Sequence, residues 1–267
     1  MLNDLDVIIK AYPKEINTLR VYAIGDVHVG SREFNEEAVR KKIEVIKNDP
    51  NAAVCLCGDL GDFGLKNSKT NVYQAVMSPN EQKDYIYELF LPIADKISAA
   101  VPGNHEERIT KEVGLCPMYD LCVLWGCPDV YRENVAITKY LFGDANDCKG
   151  SQSCFIGITT HGSTRNKHKK FISSFDGIDF AVSGHTHTPE YSPHGKIRVS
   201  RTRNSAIHVP YKEIVVDANL NVGGYSLKKE YEVMTPPELQ YLELSSYRDS
   251  GHSRRKVRVM NFHTIQI

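Results

Sequence analysis

Apolar positions along the chain fall into two rhythms. Leu19–Gly25 (LRVYAIG), Ala52–Cys57 (AAVCLC) and Ile97–Val101 are short runs in which nearly every residue is apolar, the pattern of strands buried on both faces. Between them the spacing becomes helical, with Ala38, Val39, Ile43 and Ile46 in Asn35–Lys47, then Tyr85, Ile86, Leu89, Phe90 and Ile93 in Glu81–Lys96. Pro92 is expected to bend the second helix or fix its end, because it offers no amide hydrogen and crowds the preceding turn. This βαβαβ order predicts parallel strands joined by right-handed crossovers. A helical stretch near Met118–Trp125, strands at Cys154–Thr160 and Phe180–Ser183, and a helix at Asn166–Phe175 follow. The tail changes character: Lys196–Val199, Glu213–Val216, Tyr225–Lys229, Leu239–Leu244 and Lys256–Phe262 read as strands linked by turns such as Asn219–Gly224, which predicts a second sheet, antiparallel or mixed. Phe63–Asn80 is longer than an ordinary connection and is a candidate lid, while Gly143–Ser153 reads as an exposed turn.

Composition narrows the class. The 267 residues, 41% hydrophobic and 25% charged, suffice for one full core. The expected division is a main domain over residues 1–235 and a β-rich extension over 236–267 packed on it. No run approaches the ~20 apolar residues of a membrane helix, and the amino-terminal MLNDLDVIIK carries two aspartates where a signal peptide is basic, so a cytoplasmic protein with no membrane partner is expected. Seven cysteines without a C-x-x-C pair fit reduced thiols better than a disulfide framework or a zinc ribbon, with Cys55 and Cys57 in the core. Formal charge is zero overall but uneven, with 17 basic against 23 acidic side chains in residues 1–160 and 16 against 10 in 161–267. That split is compatible with an anionic substrate met from one side.

Five short segments carry the chemistry, each beginning where an expected strand ends: Gly25-Asp26-Val27-His28, Gly58-Asp59-Leu60-Gly61-Asp62, Gly103-Asn104-His105-Glu106, His161-Gly162 and Gly184-His185-Thr186-His187. In open α/β sheets ligands sit beyond the carboxyl ends of strands, so these carboxylates, imidazoles and one amide converge on one rim. Singly, each histidine reads as an ordinary hydrogen-bonded side chain, and Asp62 as the cap of a turn. Together they suit borderline divalent cations, and they outnumber what one tetrahedral site takes. Two ions about 3.5–4 Å apart with a shared carboxylate would use them all.

The set D-x-H, G-D-x-x-D, G-N-H-E, H-G and G-H-T-H, in that order from Asp26 to His187, resembles the calcineurin-like metallophosphoesterase superfamily. The resemblance implies a four-layer α/β/β/α sandwich of two mixed β-sheets flanked by helices. It further implies that Asp26, His28 and His187 hold one metal, that Asn104, His161 and His185 hold a second, and that Asp59 bridges them. His105 matches the family histidine that protonates the leaving oxygen, and Asp62 the carboxylate that orients it in the phosphoprotein-phosphatase branch. The cofactors implied are two divalent ions, Mn²⁺ first, with Fe, Zn, Ni or Mg as alternatives. The activity implied is phosphoester hydrolysis by a hydroxide bridging the metals.

Three features bear on the ester. Asp26-Val27-His28-Val29-Gly30 resembles the start of the exonuclease branch. Phe63 stands where the phosphoprotein-phosphatase pattern has an arginine, for which Arg32 or Arg108 is a candidate substitute. Basic residues cluster after His161 (Arg165, Lys167, Lys169, Lys170), after His187 (Lys196, Arg198, Arg201, Arg203) and at Arg254, Arg255, Lys256 and Arg258, where they either track a phosphate backbone or form solvated faces. The expected function is a phosphodiesterase or nuclease acting on single-stranded nucleic acid or a nucleotide. A phosphomonoesterase on a small molecule or phosphoprotein is the alternative, and a non-catalytic metal-binding scaffold the remote one. Oligomeric state stays open, a homodimer included.

Overall fold

The computed structural model describes residues 3–66, 75–143, 152–199, 202, 204–221, 236–248 and 256–267. In chain order the strands are β1 (Ile8–Ala11), β2 (Thr18–Ile24), β3 (Ala52–Leu56), β4 (Ile97–Ala100), β5 (Val135–Phe142), β6 (Ser153–Thr160), β7 (Phe180–Ser183), β8 (Glu190–Val199), β9 (Ala206–Val215), β10 (Glu238–Arg248) and β11 (Lys256–Gln266). The helices are α1 (Glu36–Asn48), α2 (Pro79–Phe90), α3 (Asn104–Val113), α4 (Pro117–Leu124) and α5 (Arg165–Ser173).

Two mixed sheets result. One runs β11-β10-β2-β3-β4, with β2, β3 and β4 parallel and β10 and β11 antiparallel beside them. The other runs β1-β5-β6-β7-β9-β8, with β6, β7 and β9 parallel. Alternation along each strand explains the layering, since successive side chains point to opposite faces. On β2, Leu19, Val21 and Ala23 join Cys55, Cys57, Ala99, Tyr140, Phe142, Phe180 and Ile214 in the layer between the sheets. Tyr22 and Ile24 turn the other way and pack with Val54, Leu56, Val39, Ile43 and Ile46 of α1 and Ile86, Leu89 and Phe90 of α2. Beyond the second sheet, Ile172 of α5 packs with Ile158, Ala181 and Tyr211. The four-layer α/β/β/α sandwich is therefore present. Cys55 and Cys57 lie inside it, fully buried.

Local chemistry sets the boundaries. Asn35 caps α1 by accepting from the Ala38 amide at 3.1 Å, and Ser78 and Glu81 form a reciprocal capping box on α2. The expected helix over Glu81–Lys96 divides at Pro92: α2 ends at Phe90, and Leu91–Lys96 continues as a tighter 3₁₀ turn. The helix expected at Asn166–Phe175 is α5, shifted one residue at its start and two at its end. The tail strands run longer than expected, as β8 to β11. The expected strand Tyr225–Lys229, the centre of the Phe63–Asn80 connection and most of Gly143–Ser153 lie outside the described residues. Three elements were not anticipated: β1, β5 and α3. β10 and β11 both enter the first sheet, β10 pairing with β2 from Gln240–Ala23 to Ser245–Thr18. A buried ion pair, Lys42 Nζ to Asp217 Oδ1 at 2.9 Å, ties α1 to the turn after β9. Among the described residues no helix is long and apolar enough to cross a membrane.

Candidate metal centre

All five motifs follow strand ends: β2 delivers Asp26 and His28, β3 delivers Asp59 and Asp62, β4 delivers Asn104 and His105, β6 delivers His161, and β7 delivers His185 and His187. Parallel neighbours end on the same rim, which brings residues more than a hundred positions apart together. The backbone there is unusual. Asp26, His28, Asp59, Phe63, His185 and His187 all have φ between 42° and 76°, the left-handed region that ordinary side chains avoid. Strain of this kind persists only where surrounding structure over-determines it, and it concentrates at functional sites. The adjoining glycines are needed for room: a Cβ at Gly184 would lie 2.6 Å from Asp26 Oδ2, and one at Gly103 would collide with Asp59 Oδ1.

The side chains form two groups joined by Asp59. In the first, His28 Nε2 and His187 Nε2 are 3.1 Å apart, and Asp26 Oδ1 lies 3.7 Å from His187 Nε2. In the second, Asn104 Oδ1 is 3.0 Å from His161 Nε2 and 2.9 Å from His185 Nδ1, and the two imidazole nitrogens are 3.1 Å apart. Asp59 Oδ2 stands 3.4 Å from His161 Nε2 and 3.8 Å from His105 Nε2. Three triads have ligand atoms mutually within 4.8 Å: Asp26, His28 and His187; His28, Asp59 and His105; and Asp26, Asp59 and His161.

This donor set fits divalent cations. Asp26 Oδ1 is buried and has no hydrogen-bond partner. Burial, offset in part by His161, and the nearby Asp59 push the Asp26 carboxyl up to about 8, the signature of a carboxylate awaiting a counter-charge. Burial and neighbouring histidines hold His28 and His185 below the usual imidazole range and bring His187 down to about 4, so each offers a free lone pair. His161 is the opposite case: burial lowers it, but Asp59 outweighs burial and lifts it to about 10. Asp59 itself is raised by burial and then held well below the carboxylate range by His161, His105 and His28.

His105 stands apart in its contacts. Its Nδ1 donates to the Asp62 carbonyl at 2.7 Å and lies 3.3 Å from Asp62 Oδ1, while its backbone N–H donates to Asp59 Oδ1 at 2.8 Å. Arg108 Nη2 donates to His105 Nε2 at 2.9 Å and its Nη1 to the Asp62 carbonyl at 3.3 Å. Burial lowers His105, yet the Asp62 contact and Asp59 raise it above its ordinary value.

Three functional residues were missed by sequence reasoning. Glu106, fully buried, accepts from the amides of Asp59, Leu60, Gly61 and Gly103 at 2.7–3.3 Å and so pins the loop that carries Asp59 to the start of α3. Its place in G-N-H-E was the available signal. Asn219 donates from Nδ2 to the Gly25 carbonyl at 2.9 Å and from its backbone to the Asp26 carbonyl at 2.9 Å. Gln82 accepts from the Phe63 amide at 2.8 Å, fixing the chain beyond Asp62. Neither had a motif to mark it. Arg32 is exposed, whereas Arg108 is in the site.

Four described residues of the basic clusters are engaged by neighbouring protein groups. Lys169 pairs with Glu190 at 3.3 Å, Arg198 with Asp176 at 2.7 Å, and Arg258 with Asp179 at 3.4 Å, while Lys196 donates to the Ser173 and Phe175 carbonyls. Arg201, Arg203, Arg254 and Arg255, and the side chains of Arg165 and Lys256, lie outside the described residues.

Comparison with known proteins gives a family and, among solved structures, distant likenesses that include the following two. The family model "calcineurin-like phosphoesterase" matches residues 19–189. The Vps29 structure from Chaetomium thermophilum is 8% identical, covering 93% of this chain and 98% of its own, with a TM-score of 0.40. Chaetomium thermophilum Vps29 complexed with the cyclic peptide RT-D3 is also 8% identical, covering 93% and 97%, with a TM-score of 0.30. No curated protein sequence gives a match. The family match spans every motif segment from Asp26 to His187, and the chain belongs to the calcineurin-like phosphoesterase family, whose chemistry is metal-dependent hydrolysis of phosphoesters.

Proposed function

We propose that this protein hydrolyses phosphodiester bonds in nucleic acid or nucleotides, with Asp26, His28 and His187 holding one divalent cation, Asn104, His161 and His185 a second, and Asp59 bridging. The observation that carries the diester reading is the pairing of Phe63 with Arg108. Phe63, where a phosphatase arginine would stand, is 1% exposed and packs against Gly61, and the guanidinium beside the proposed acid is Arg108. A diester phosphate carries one negative charge and a monoester nearly two, so a site with its guanidinium already committed to His105 suits the smaller charge.

Divalent cations bound here, Mn²⁺ first among them, supply an activated water and neutralise the non-bridging oxygens. The protein's own residues do the rest. Asp59, held anionic and pinned through Glu106, fixes the spacing of the two ligand groups. Asp62 sets the His105 ring so that Nε2 faces the centre. As the phosphorus–oxygen bond to the leaving group breaks, the alkoxide takes the proton from His105 Nε2, and Asp59 and Asp62 favour the protonated ring that supplies it.

Hydrolysis of bis-p-nitrophenyl phosphate by chelator-stripped protein, titrated with Mn²⁺, is the test, with p-nitrophenyl phosphate and the Asp59→Asn variant alongside. Metal-dependent diester turnover that disappears in Asp59→Asn is the expected result. Turnover of the monoester alone would move the assignment to a phosphatase.

A further inference from the structure

Beside the second ligand group, between α5 and the β7–β9–β8 end of the second sheet, is a cavity of about 290 Å³. Its wall includes Gly184 and Thr186, which flank His185, and Ser163, two residues beyond His161, so it borders the loops that carry two of the candidate ligands. The lining mixes apolar surface with several polar groups. Ser163, Ser183, Thr186, Thr188 and Ser192 offer hydroxyls, and Glu190 and Glu213 offer carboxylates. Glu213 is 3% exposed and is held by His194 Nε2 at 3.1 Å. His168, 5% exposed, presents Nε2 with no hydrogen-bond partner, although Glu213 Oε1 is only 3.3 Å away. A buried nitrogen left unsatisfied in a cavity is costly unless something fills the space.

The charge of the lining decides what fits. Among the described residues of the lining, two carboxylates stand against one lysine, Lys169, itself paired with Glu190, which disfavours a second phosphate. Carboxylates accept from hydroxyls, a use familiar where an acidic side chain holds the hydroxyls of a ribose. The volume admits a sugar ring and excludes a dinucleotide. We infer that this cavity, resting on the phosphodiesterase reading above, seats a ribose on the retained side of the scissile phosphate, with Glu213 and Glu190 accepting from its hydroxyls and His168 Nε2 completing the set. The substrate class is accordingly a ribonucleotide diester in preference to its deoxy counterpart, since a site built to pair a hydroxyl rejects the analogue lacking it.

Calorimetric titration of uridine 5′-monophosphate and 2′-deoxyuridine 5′-monophosphate into the Mn²⁺-loaded full chain tests this, with bis-p-nitrophenyl phosphate, which has no sugar, reporting the metal centre separately. The ribonucleotide is expected to bind at least about tenfold tighter. Glu213→Gln and Glu190→Gln are each expected to shrink that ratio below about threefold, with bis-p-nitrophenyl phosphate turnover within twofold of the parent. The second variant, at a half-buried position, guards against a folding defect in the first. Equal binding of the two nucleotides, or binding of neither, overturns the ribose cavity whatever the diester assay shows. A preserved ribonucleotide preference with no turnover of bis-p-nitrophenyl phosphate overturns the diester reading and leaves the cavity standing.

Discussion

Within the centre, side chains divide into those that hold charge in place and those that move a proton, and substitutions separate the two. His105 accepts from Arg108, donates to Asp62 and belongs to neither proposed ligand group. His105→Asn is expected to retain both metals by elemental analysis while kcat falls roughly 10²–10⁴-fold, the usual worth of a positioned acid. Asp59→Asn is expected to lose metal and activity together, because the carboxylate proposed to be shared is removed. Full activity in His105→Asn would end its assignment as the acid. Room matters as much as charge: Gly184→Ala places a methyl 2.6 Å from Asp26 Oδ2, and Mn²⁺ affinity by calorimetry is expected to fall tenfold or more without a change of fold. The five motif segments were readable because each needs particular residue types at fixed spacing. Asn219 and Gln82 were not, because a residue that orients a ligand through backbone contacts can come from anywhere the fold brings it.

Among the elements, legibility followed the strength of the apolar period. β2, β3 and β7 are buried along nearly their whole length and announced themselves. α3 did not, because the residues it buries, apart from Ile109, are His105 and Glu106, so its inward face is polar and gives no helical stripe. β1 has only four residues, with Ile8 alone buried, and lies at a sheet edge where little patterning is required. β5 does alternate, but its polar positions Thr138 and Lys139 interrupt the run. α2 shows how an element serves the centre from a distance: its capping box fixes the turn from which Gln82 reaches the Phe63 amide. Ser78→Ala is expected to cost about 1 kcal/mol, seen as a lower denaturant midpoint at unchanged slope.

For the molecule as a whole, the layer between the sheets carries a liability at high pH. Tyr140 is fully buried within it, touching Cys55 Sγ and Ser98 Oγ, and burial raises its phenol far above 10. Burial likewise raises Tyr12, Tyr22 and Tyr131. In the unfolded chain these phenols ionise near 10, so above that pH the unfolded state binds fewer protons than the folded one and stability falls as pH rises. The thermal midpoint is expected to hold to about pH 9.5 and then drop steeply. A flat profile through pH 11 would contradict the burial of these rings.

The pairing of β10 with β2 has a consequence for how the protein comes into being. Thr18 and Ser245, neighbours across that ladder, are 227 positions apart in sequence. During synthesis β2 emerges 227 positions before its partner across the ladder and waits for it before its outer hydrogen-bonding edge is covered. An uncovered strand is a template for pairing with another chain, and closure of so long a loop is slow. Folding is thus bound to strands made long after β2, and a nascent chain stalled before Glu238 exposes the edge that leads to its candidate metal ligands.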